Sequence, residues 1–350
     1  MNAREPSIRL TQLSHGGGCG CKIAPGVLQQ ILGNAASLPV PEALLVGIET
    51  SDDAAVYRMN DDQAIVATTD FFTPVVDDPF DFGAIAATNA LSDVYAMGAT
   101  PLFALAIVGM PIATLPLDAI KRILNGGQSI CAKAGIPVAG GHTIDTAEPI
   151  YGLVAIGVVD PKRLKRNADA RAGDAIIIGK PLGIGIYSAA LKRGALDADS
   201  YRAMLDSTTR LNTPGIALAA MPGVHALTDV TGFGLAGHLL EMCRGAGVGA
   251  EIDFARLPLL PGALDLALEG FVTGASARNF HGYGPSVSLG AAIGLVERAL
   301  LTDPQTSGGL LVACAPQAAP AVLEVFKREG FTAAAQIGRF VAGPAHLAVT

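Results

Sequence analysis

The chain has 350 residues, of which half are hydrophobic and 16% are charged, and its formal net charge is -7 at pH 7. This length predicts about two domains of ~150 residues each, with enough apolar material for two cores. There is no Lys/Arg-rich run that could follow a phosphate backbone, so nucleic acid is not expected as a partner. The apolar runs are short and end at Asp, Gly or Pro. We expect them to be buried strands, because a membrane span needs about 20 apolar residues.

The beginning of the chain and its cysteines indicate a compartment. MNAREPSIRL has mixed charges and lacks the apolar centre of a signal peptide, so we expect a cytoplasmic protein without a membrane partner. The five cysteines are an odd number and are scattered, which argues against a disulfide scaffold. They indicate thiol chemistry or plain burial.

Residues 1–22 are predicted to be a flexible, glycine-rich flap, because they show no hydrophobic periodicity. The flap contains Cys19-Gly20-Cys21-Lys22 after three glycines. A lysine three residues from Cys19 would favour the thiolate, which is the nucleophilic form. Two other interpretations are open at this point: a pair of metal-binding thiols, or a disordered tail with incidental cysteines. A metal site normally needs four ligands, and His15 is the only nearby helper.

Residues 23–160 are predicted to form an N-terminal domain. The strand QAIVATTD is followed by a helix that begins near Pro79, which suits a first helical turn, and ends near Gly98, which suits a C-terminal cap. Asn89 and Asp93 are four residues apart and therefore share one face of this helix. A second helix is predicted at about 116–134 and a further strand at 150–159.

Residues 161–350 are predicted to form a C-terminal domain, at the start of which residues 162–171 are a charged linker. Helices are expected near 184–193, 199–221 and 317–329. Strands and helices alternate in both halves without a clean repeated βαβ order. We therefore predict two α+β or mixed α/β domains with antiparallel sheets rather than one doubly wound parallel sheet.

Five aspartates lie at the ends of apolar strands or on helix faces. Such residues are usually caps or turn residues. Here they adjoin small or apolar residues that leave room for a ligand, and several converging carboxylates would suit a magnesium–nucleotide site. They are Asp52, Asp53, Asp70, Asp93 and Asp229.

Two glycine-rich segments precede the histidines His142 and His238. Residues 232–237 match G-x-G-x-x-G, but Asp229, Val230 and Thr231 separate the motif from the strand before it, so a dinucleotide site is not favoured. His142 is predicted to lie in a glycine turn after a strand, where the backbone could approach a phosphate; a structural role fits it equally well. His238 is expected to face a helix neighbour or to make a partly buried polar contact.

Several segments together resemble the selenophosphate synthetases (selenide, water dikinases). They span residues 10 to 310 in the family's order. The aspartate segments are shared more loosely with a superfamily that includes aminoimidazole ribonucleotide synthetase and thiamine-monophosphate kinase, whereas the Cys-Gly-Cys-Lys flap is particular to the selenide enzymes. The matching segments are LTQLSHGGGCGCK, SDDAAVY, TTDFFTPVVDDPFDFGAIAATNALSDVYAMGATP, AGGHTID, LTDVTGFGLAGH and LTDPQTSGGLL.

The resemblance implies roles for individual residues. Cys19 would be the active-site thiol, at a position where the family sometimes carries selenocysteine, and Lys22 the lysine that contacts phosphate. Several Mg²⁺ ions per site would be held by Asp53, Asp93 and Asp229. The ATP-site residues would be Lys22, Thr50, Ser51, Asp52, Asp70 and Asp93 of one subunit, and Gly141, His142 and Thr143 of the other subunit of a homodimer.

The resemblance also implies a fold and a reaction. The fold would be the two-domain α+β arrangement of aminoimidazole ribonucleotide synthetase, with N-terminal sheets paired across the dimer. ATP, selenide and water would give selenophosphate, AMP and phosphate. The alternatives are a related ATP enzyme that acts on another substrate without needing Cys19, and a non-enzymatic protein that binds metal through its thiols.

Overall fold

The computed structural model describes residues 8–14, 16–23, 31, 40–47 and 52–350. His15, Thr50 and Ser51 therefore lie outside the described residues. Within the described ranges, no helix combines the length and the apolar character that a bilayer crossing requires.

The first half of the chain forms a six-stranded sheet with the order β1-β2-β3-β6-β4-β5. All neighbours are antiparallel except β4 and β5, which are parallel. The strands are β1 (Leu44–Val46), β2 (Ala55–Arg58), β3 (Ala64–Phe72), β4 (Thr100–Met110), β5 (Val138–Asp145) and β6 (Ile150–Val159).

Two helices, α1 (Pro79–Ala96) and α2 (Leu117–Lys133), pack together on this domain. The predicted ends of α1 are confirmed: Asp78 accepts hydrogen bonds from two backbone N–H groups of the first turn, and Gly98 follows the helix with φ 72°. Glycines allow the two helices to approach closely. A Cβ atom at Gly83 would lie 1.9 Å from the carbonyl oxygen of Ile123. Almost every residue of α1 is buried as a result.

The other face of the N-terminal sheet carries apolar side chains that no described element of this chain covers. Tyr57 and Phe71 are 45% and 48% exposed. Ile107 belongs to the same face, because the strand register places it opposite Gly152, which is itself opposite Phe71. The edge strand β5 is exposed along most of its length.

The second half of the chain forms a seven-stranded sheet with the order β10-β13-β9-β12-β7-β11-β8. It is antiparallel except for the pairs that β13 makes with β9 and β10. The strands are β7 (Ala175–Ile178), β8 (Val224–Asp229), β9 (Gly249–Ile252), β10 (Val287–Leu289), β11 (Leu310–Cys314), β12 (Ala335–Val341) and β13 (Leu347–Val349).

Eight helices accompany this sheet in the described part of the chain. They are α3 (Ile184–Lys192), α4 (Ala198–Thr208), α5 (Pro214–Ala219), α6 (Gly234–Ala246), α7 (Ala263–Leu268), α8 (Gly274–Tyr283), α9 (Leu295–Leu301) and α10 (Ala319–Arg328). The α+β prediction is confirmed, although both sheets are mixed rather than purely antiparallel.

Two local predictions are wrong. The single helix expected at 199–221 is the two helices α4 and α5. The helix is interrupted before Pro214, because proline has no backbone N–H to continue the helical hydrogen bonds. In the break, the side-chain amide of Asn212 donates to Ser92 Oγ and to the Gly308 carbonyl oxygen. The glycine turn expected around His142 is the interior of strand β5, in which His142 pairs with Ile107 of β4.

Candidate active site

Three carboxylates meet where the two domains of the chain contact each other. Asp53 precedes β2, Asp93 lies near the end of α1, and Asp229 is the last residue of β8. One carboxylate oxygen from each lies within 4.8 Å of the others. The sequence separates these residues widely, so the packing of the two domains brings them together. They are the three aspartates that the resemblance assigned to Mg²⁺.

A hydroxyl group orients each of these carboxylates. Each hydroxyl comes from a different segment than the carboxylate it binds, which ties the cluster into the surrounding strands and helices. The pairs are Thr68 Oγ1 to Asp93 Oδ2 at 2.5 Å, Thr228 Oγ1 to Asp53 Oδ1 at 2.8 Å, and Ser92 Oγ to Asp229 Oδ2.

The electrostatics of the cluster suit a cation. Burial raises the pKa of all three carboxyl groups, and the charges of neighbouring aspartates raise those of Asp53 and Asp93 further. Asp53 Oδ2 is buried and has no hydrogen-bond partner among the described residues. Hard carboxylate oxygens are the ligands that Mg²⁺ prefers in proteins. The three side chains therefore fit a divalent metal ion, which would offset their mutual repulsion.

Cys19 lies in a short 3₁₀ turn, Gly18–Cys21, that is docked against both domains. Its side chain is buried, with 1% of the residue exposed. The Cys19 N–H donates to Thr306 Oγ1 at 3.0 Å, and the thiol donates to Asn89 Oδ1 at 3.2 Å.

Two opposing effects act on the pKa of the Cys19 thiol. Burial raises the pKa of Cys19 above its ordinary value, and the nearby Lys22 ammonium opposes this shift without cancelling it. Lys22 therefore favours the thiolate, as its position in the sequence predicts, but burial has the larger effect on the pKa in this docked arrangement. The physical reason is that removing a thiolate from water costs more than one partly exposed ammonium group returns.

Lys22 and Asp70 connect the flap to the same site. Lys22 Nζ lies 3.7 Å from Asp70 Oδ2, and the Asp70 carboxylate also accepts from Asn89 Nδ2 at 2.7 Å. Asp70 is the main cause of a Lys22 pKa above its ordinary value, so this lysine stays charged. The Asn89 amide thus joins the thiol to the lysine–aspartate pair.

The remaining predicted site residues have different surroundings. Asp52 Oδ1 accepts from the backbone N–H of Asn167, in the segment between the two sheets. Gly141, His142 and Thr143 are exposed on the edge strand β5, and His142 is not part of the cluster of Asp53, Asp93 and Asp229 in its own chain.

Residues 303–309 also contribute to the site, although the sequence pattern predicts no role for them beyond the family resemblance. Thr306 contacts the backbone of Cys19, and Ser307 N donates to Asn89 Oδ1 at 2.7 Å. Small polar residues beside paired glycines, in DPQTSGG, were the available signal. His238 is buried and contacts Thr231 and Glu241, as predicted.

Comparison with known proteins covers nearly the whole chain. Residues 51–159 match the AIR synthase related protein N-terminal domain, and residues 171–349 match the corresponding C-terminal domain. A selenide, water dikinase from Paraburkholderia xenovorans is 64% identical over 343 residues, which are 98% of this chain and 97% of the relative. One from Rhizobium meliloti is 55% identical over 349 residues, which are 100% of this chain and 99% of the relative.

Solved structures share the fold at lower identity. A thiamine-monophosphate kinase from Stenotrophomonas maltophilia superposes with a TM-score of 0.63 at 23% identity, covering 88% of this chain and 91% of that chain. This similarity establishes the two-domain AIR synthase-like fold alone. On the identity and coverage of its sequence relatives, the chain belongs to the selenide, water dikinase family of AIR synthase related proteins.

Proposed function

We propose that Cys19, Lys22 and the three clustered aspartates are the residues with which this chain carries out the family's reaction. The enzyme makes selenophosphate from selenide, ATP and water, and releases AMP and phosphate. The observation that carries this assignment is the pair of hydrogen bonds made by the Asn89 amide. Its oxygen accepts from the Cys19 thiol, and its nitrogen donates to Asp70, which forms an ion pair with Lys22. The Cys-Gly-Cys-Lys flap, which is particular to the selenide enzymes, therefore lies next to an aspartate of the set that is shared with other ATP-using relatives.

Asp53, Asp93 and Asp229 are the residues that would hold Mg²⁺. The bound metal would supply positive charge to the phosphates of ATP, which is the main requirement of phosphoryl transfer. The hydroxyls of Thr68, Thr228 and Ser92 keep these carboxylates converged, so that the metal ligands need little rearrangement.

Lys22 supplies a further positive charge next to the thiol. ATP carries about four negative charges, so an anionic selenium nucleophile must be shielded from it. Asp70 holds the Lys22 ammonium at 3.7 Å, on the flap side of the site. Lys22, Asp52, Asp70 and Asp93 are assigned to the ATP site, together with Thr50 and Ser51.

The division of the chain follows from these roles. Residues 1–22 act as the catalytic flap, residues 23–160 as the domain that binds ATP and Mg²⁺ and forms the dimer, and residues 161–350 as the C-terminal domain. The five cysteines are free thiols, which suits the reducing cytoplasm as the enzyme's compartment.

A second copy of the chain completes each active site in this proposal. Gly141, His142 and Thr143 are exposed on an edge strand, and the adjoining sheet face exposes the apolar rings of Tyr57 and Phe71. An exposed strand edge beside apolar side chains is a surface that proteins normally cover. Pairing of N-terminal sheets in a homodimer would cover it and bring β5 to the partner's ATP.

Phosphorus NMR of the reaction products tests this function directly. With ATP, Mg²⁺ and selenide, we expect equal amounts of selenophosphate, AMP and phosphate; without selenide, selenophosphate is absent. ATP consumption that ignores selenide and proceeds equally well in a Cys19→Ser variant would instead identify a kinase for another substrate.

A further inference from the structure

The loop of residues 303–309, which we name the seat loop, lies beneath the tip of the flap. It connects α9 to β11. Thr306 Oγ1 accepts the backbone N–H of Cys19 at 3.0 Å. The next residue, Ser307, donates its N–H at 2.7 Å to Asn89 Oδ1, the same oxygen that accepts from the Cys19 thiol. The seat loop therefore binds the flap once directly and once through Asn89.

The seat loop has an unusual backbone conformation at Ser307, and a buried lysine stabilises it by a hydrogen bond. Ser307 is the only non-glycine residue with positive φ, at 54°, in the described ranges. Such strained backbone persists only where its surroundings enforce it, and it is common at functional sites. The buried Lys180 donates from Nζ to the Ser307 carbonyl at 2.8 Å and to the Arg210 carbonyl at 2.7 Å. Lys180 thus fixes the orientation of the Ser307 peptide.

Close packing also restricts the glycines of the seat loop. A Cβ atom at Gly308 would lie 1.9 Å from the Val230 carbonyl oxygen, and one at Gly309 would lie 2.3 Å from the backbone nitrogen of Lys180. No side chain fits at either position. The seat loop is consequently pressed against the ends of β7 and β8, and β8 ends at the metal-cluster residue Asp229.

Other side chains of the seat loop bind the C-terminal domain itself. Asp303 accepts from the N–H groups of Gly185 and Ile186, and Gln305 accepts from those of Gly183 and Ile184. The Thr306 hydroxyl instead faces the flap.

Gly18 of the flap is complementary to Thr306. It has φ 55°, and a Cβ atom there would lie 2.2 Å from Thr306 Oγ1. The glycine is needed both for the backbone conformation and for the space that the threonine hydroxyl occupies. At Gly20, by contrast, an added Cβ would meet its nearest neighbours at an ordinary 3.7 Å.

We propose that Thr306 is a positioning residue for the catalytic thiol, and that its hydroxyl holds the Gly18–Cys21 turn on the carboxylate site while Lys180 keeps the seat loop in shape. This inference rests on the proposed role of Cys19. Because Thr306 is not among the residues assigned to ATP or Mg²⁺, its loss displaces the thiol and leaves nucleotide binding intact.

The first test compares Thr306→Val, which lacks the acceptor but keeps the shape, with Thr306→Ser, which keeps the acceptor. Both are made in full-length protein that carries Cys21→Ser, and the rate of Cys19 alkylation by iodoacetamide is followed by mass spectrometry. The rate should rise about five-fold in Thr306→Val, the factor corresponding to one hydrogen bond of about 1 kcal/mol, and stay within two-fold in Thr306→Ser. The buried thiols of Cys131, Cys243 and Cys314 are the internal control, because their alkylation rates would rise if a substitution destabilised the folded domains as a whole.

Selenophosphate formation provides a second readout in the same proteins. In Thr306→Val, kcat should fall by a similar factor while KM for ATP stays unchanged, and Thr306→Ser should restore kcat. An unchanged alkylation rate in Thr306→Val overturns the inference, as does a rise shared by Cys131, Cys243 and Cys314. Faster alkylation with unchanged kcat would also overturn the positioning role, and it would locate the failure in the catalytic assignment of Cys19 rather than in the contact.

A second pair of variants approaches the same contact from the flap, where the folding of the domains is not at risk. Gly18→Ala should speed Cys19 alkylation at least five-fold, because its methyl group cannot coexist with the docked Thr306 hydroxyl. Gly20→Ala, the matched control, should stay within two-fold. Equal rates for the two alanine variants would contradict the proposed seat.

Discussion

Thr228 Oγ1 donates a 2.8 Å hydrogen bond to Asp53 Oδ1 across 175 positions of sequence. Thr228 belongs to strand β8 of the C-terminal sheet, whereas Asp53 precedes strand β2 of the N-terminal sheet. The bond shows that the carboxylate cluster is a product of how the two halves pack. Neither half alone contains the complete set of ligands or the hydroxyls that orient them.

Replacing any clustered aspartate by asparagine should weaken binding of Mg²⁺ with ATP by at least about ten-fold. The amide preserves the shape but removes the charge that holds a hard cation. Titration calorimetry of Asp53→Asn, Asp93→Asn and Asp229→Asn measures this effect, and circular dichroism should show native structure. Unchanged affinity in all three variants would place the metal site elsewhere.

Cys19→Ser should abolish selenide-dependent product formation and leave ATP affinity nearly unchanged. The reason is that the Cys19 thiol adjoins Asn89 and the buried site, whereas Cys21 is exposed. Cys21→Ser should therefore have a milder effect. Product analysis by phosphorus NMR distinguishes the two variants, and full selenophosphate synthesis by Cys19→Ser would refute the assignment of the thiol.

Mixed dimers should reveal whether β5 acts on the partner's site. Gly141 is unsuitable for this test, because a Cβ atom there would lie 2.1 Å from the Ala106 carbonyl oxygen and disturb the β4–β5 pairing. The exposed His142 is suitable. His142→Glu should repel phosphate in the neighbouring site, and mixing it with Asp93→Asn chains should restore up to about half of wild-type activity per mixed dimer.

The comparison for this experiment is each variant alone, which should be inactive or nearly so. If β5 serves its own chain, every site of the mixed dimer carries one lesion and mixing restores nothing. A fully active monomer, identified by light scattering, would refute the shared site outright.

Asp303 should make the stability of the protein fall as the pH rises. Burial raises its pKa from 3.8 to about 7, although backbone N–H groups of Ile186 and Gly185 oppose the shift. A raised folded-state pKa stabilises the protein fully below the ordinary pKa, and this contribution is lost as the pH rises through about 7. The amide in the Asp303→Asn variant does not titrate. The difference in free energy of unfolding between wild type and variant should therefore shift in favour of the variant as the pH rises from about 4 to about 8.

Urea unfolding at pH 5 and pH 8 measures this difference, which should be about 3 kcal/mol, because this interval covers about two of the three pKa units of the shift. Asp61→Asn, the same substitution at an exposed position, serves as the control for the assay. A wild type that loses nothing relative to Asp303→Asn at pH 8 would contradict the assignment.

Local signals in the sequence determined the elements that carry the site. Asp78 and Pro79 begin α1 and Gly98 follows its end, because a side-chain cap, a fixed φ and a positive φ act within a few residues. The four-residue spacing of Asn89 and Asp93 likewise sets their common face, from which Asn89 contacts Asp70 and Asp93 contacts Thr68. The motifs of the flap and the aspartates were sufficient to identify the family.

Only the tertiary structure decided how these pieces act on one another. The pKa of Cys19 depends on burial by residues hundreds of positions away, and this burial outweighs the lowering effect of the nearby Lys22. The strand conformation around His142 depends on pairing with β4, which glycine composition does not reveal. Thr306 and Ser307 lie in a segment that resembles the family, but the contacts of these two residues and of Lys180 form only when the two domains and the flap pack together.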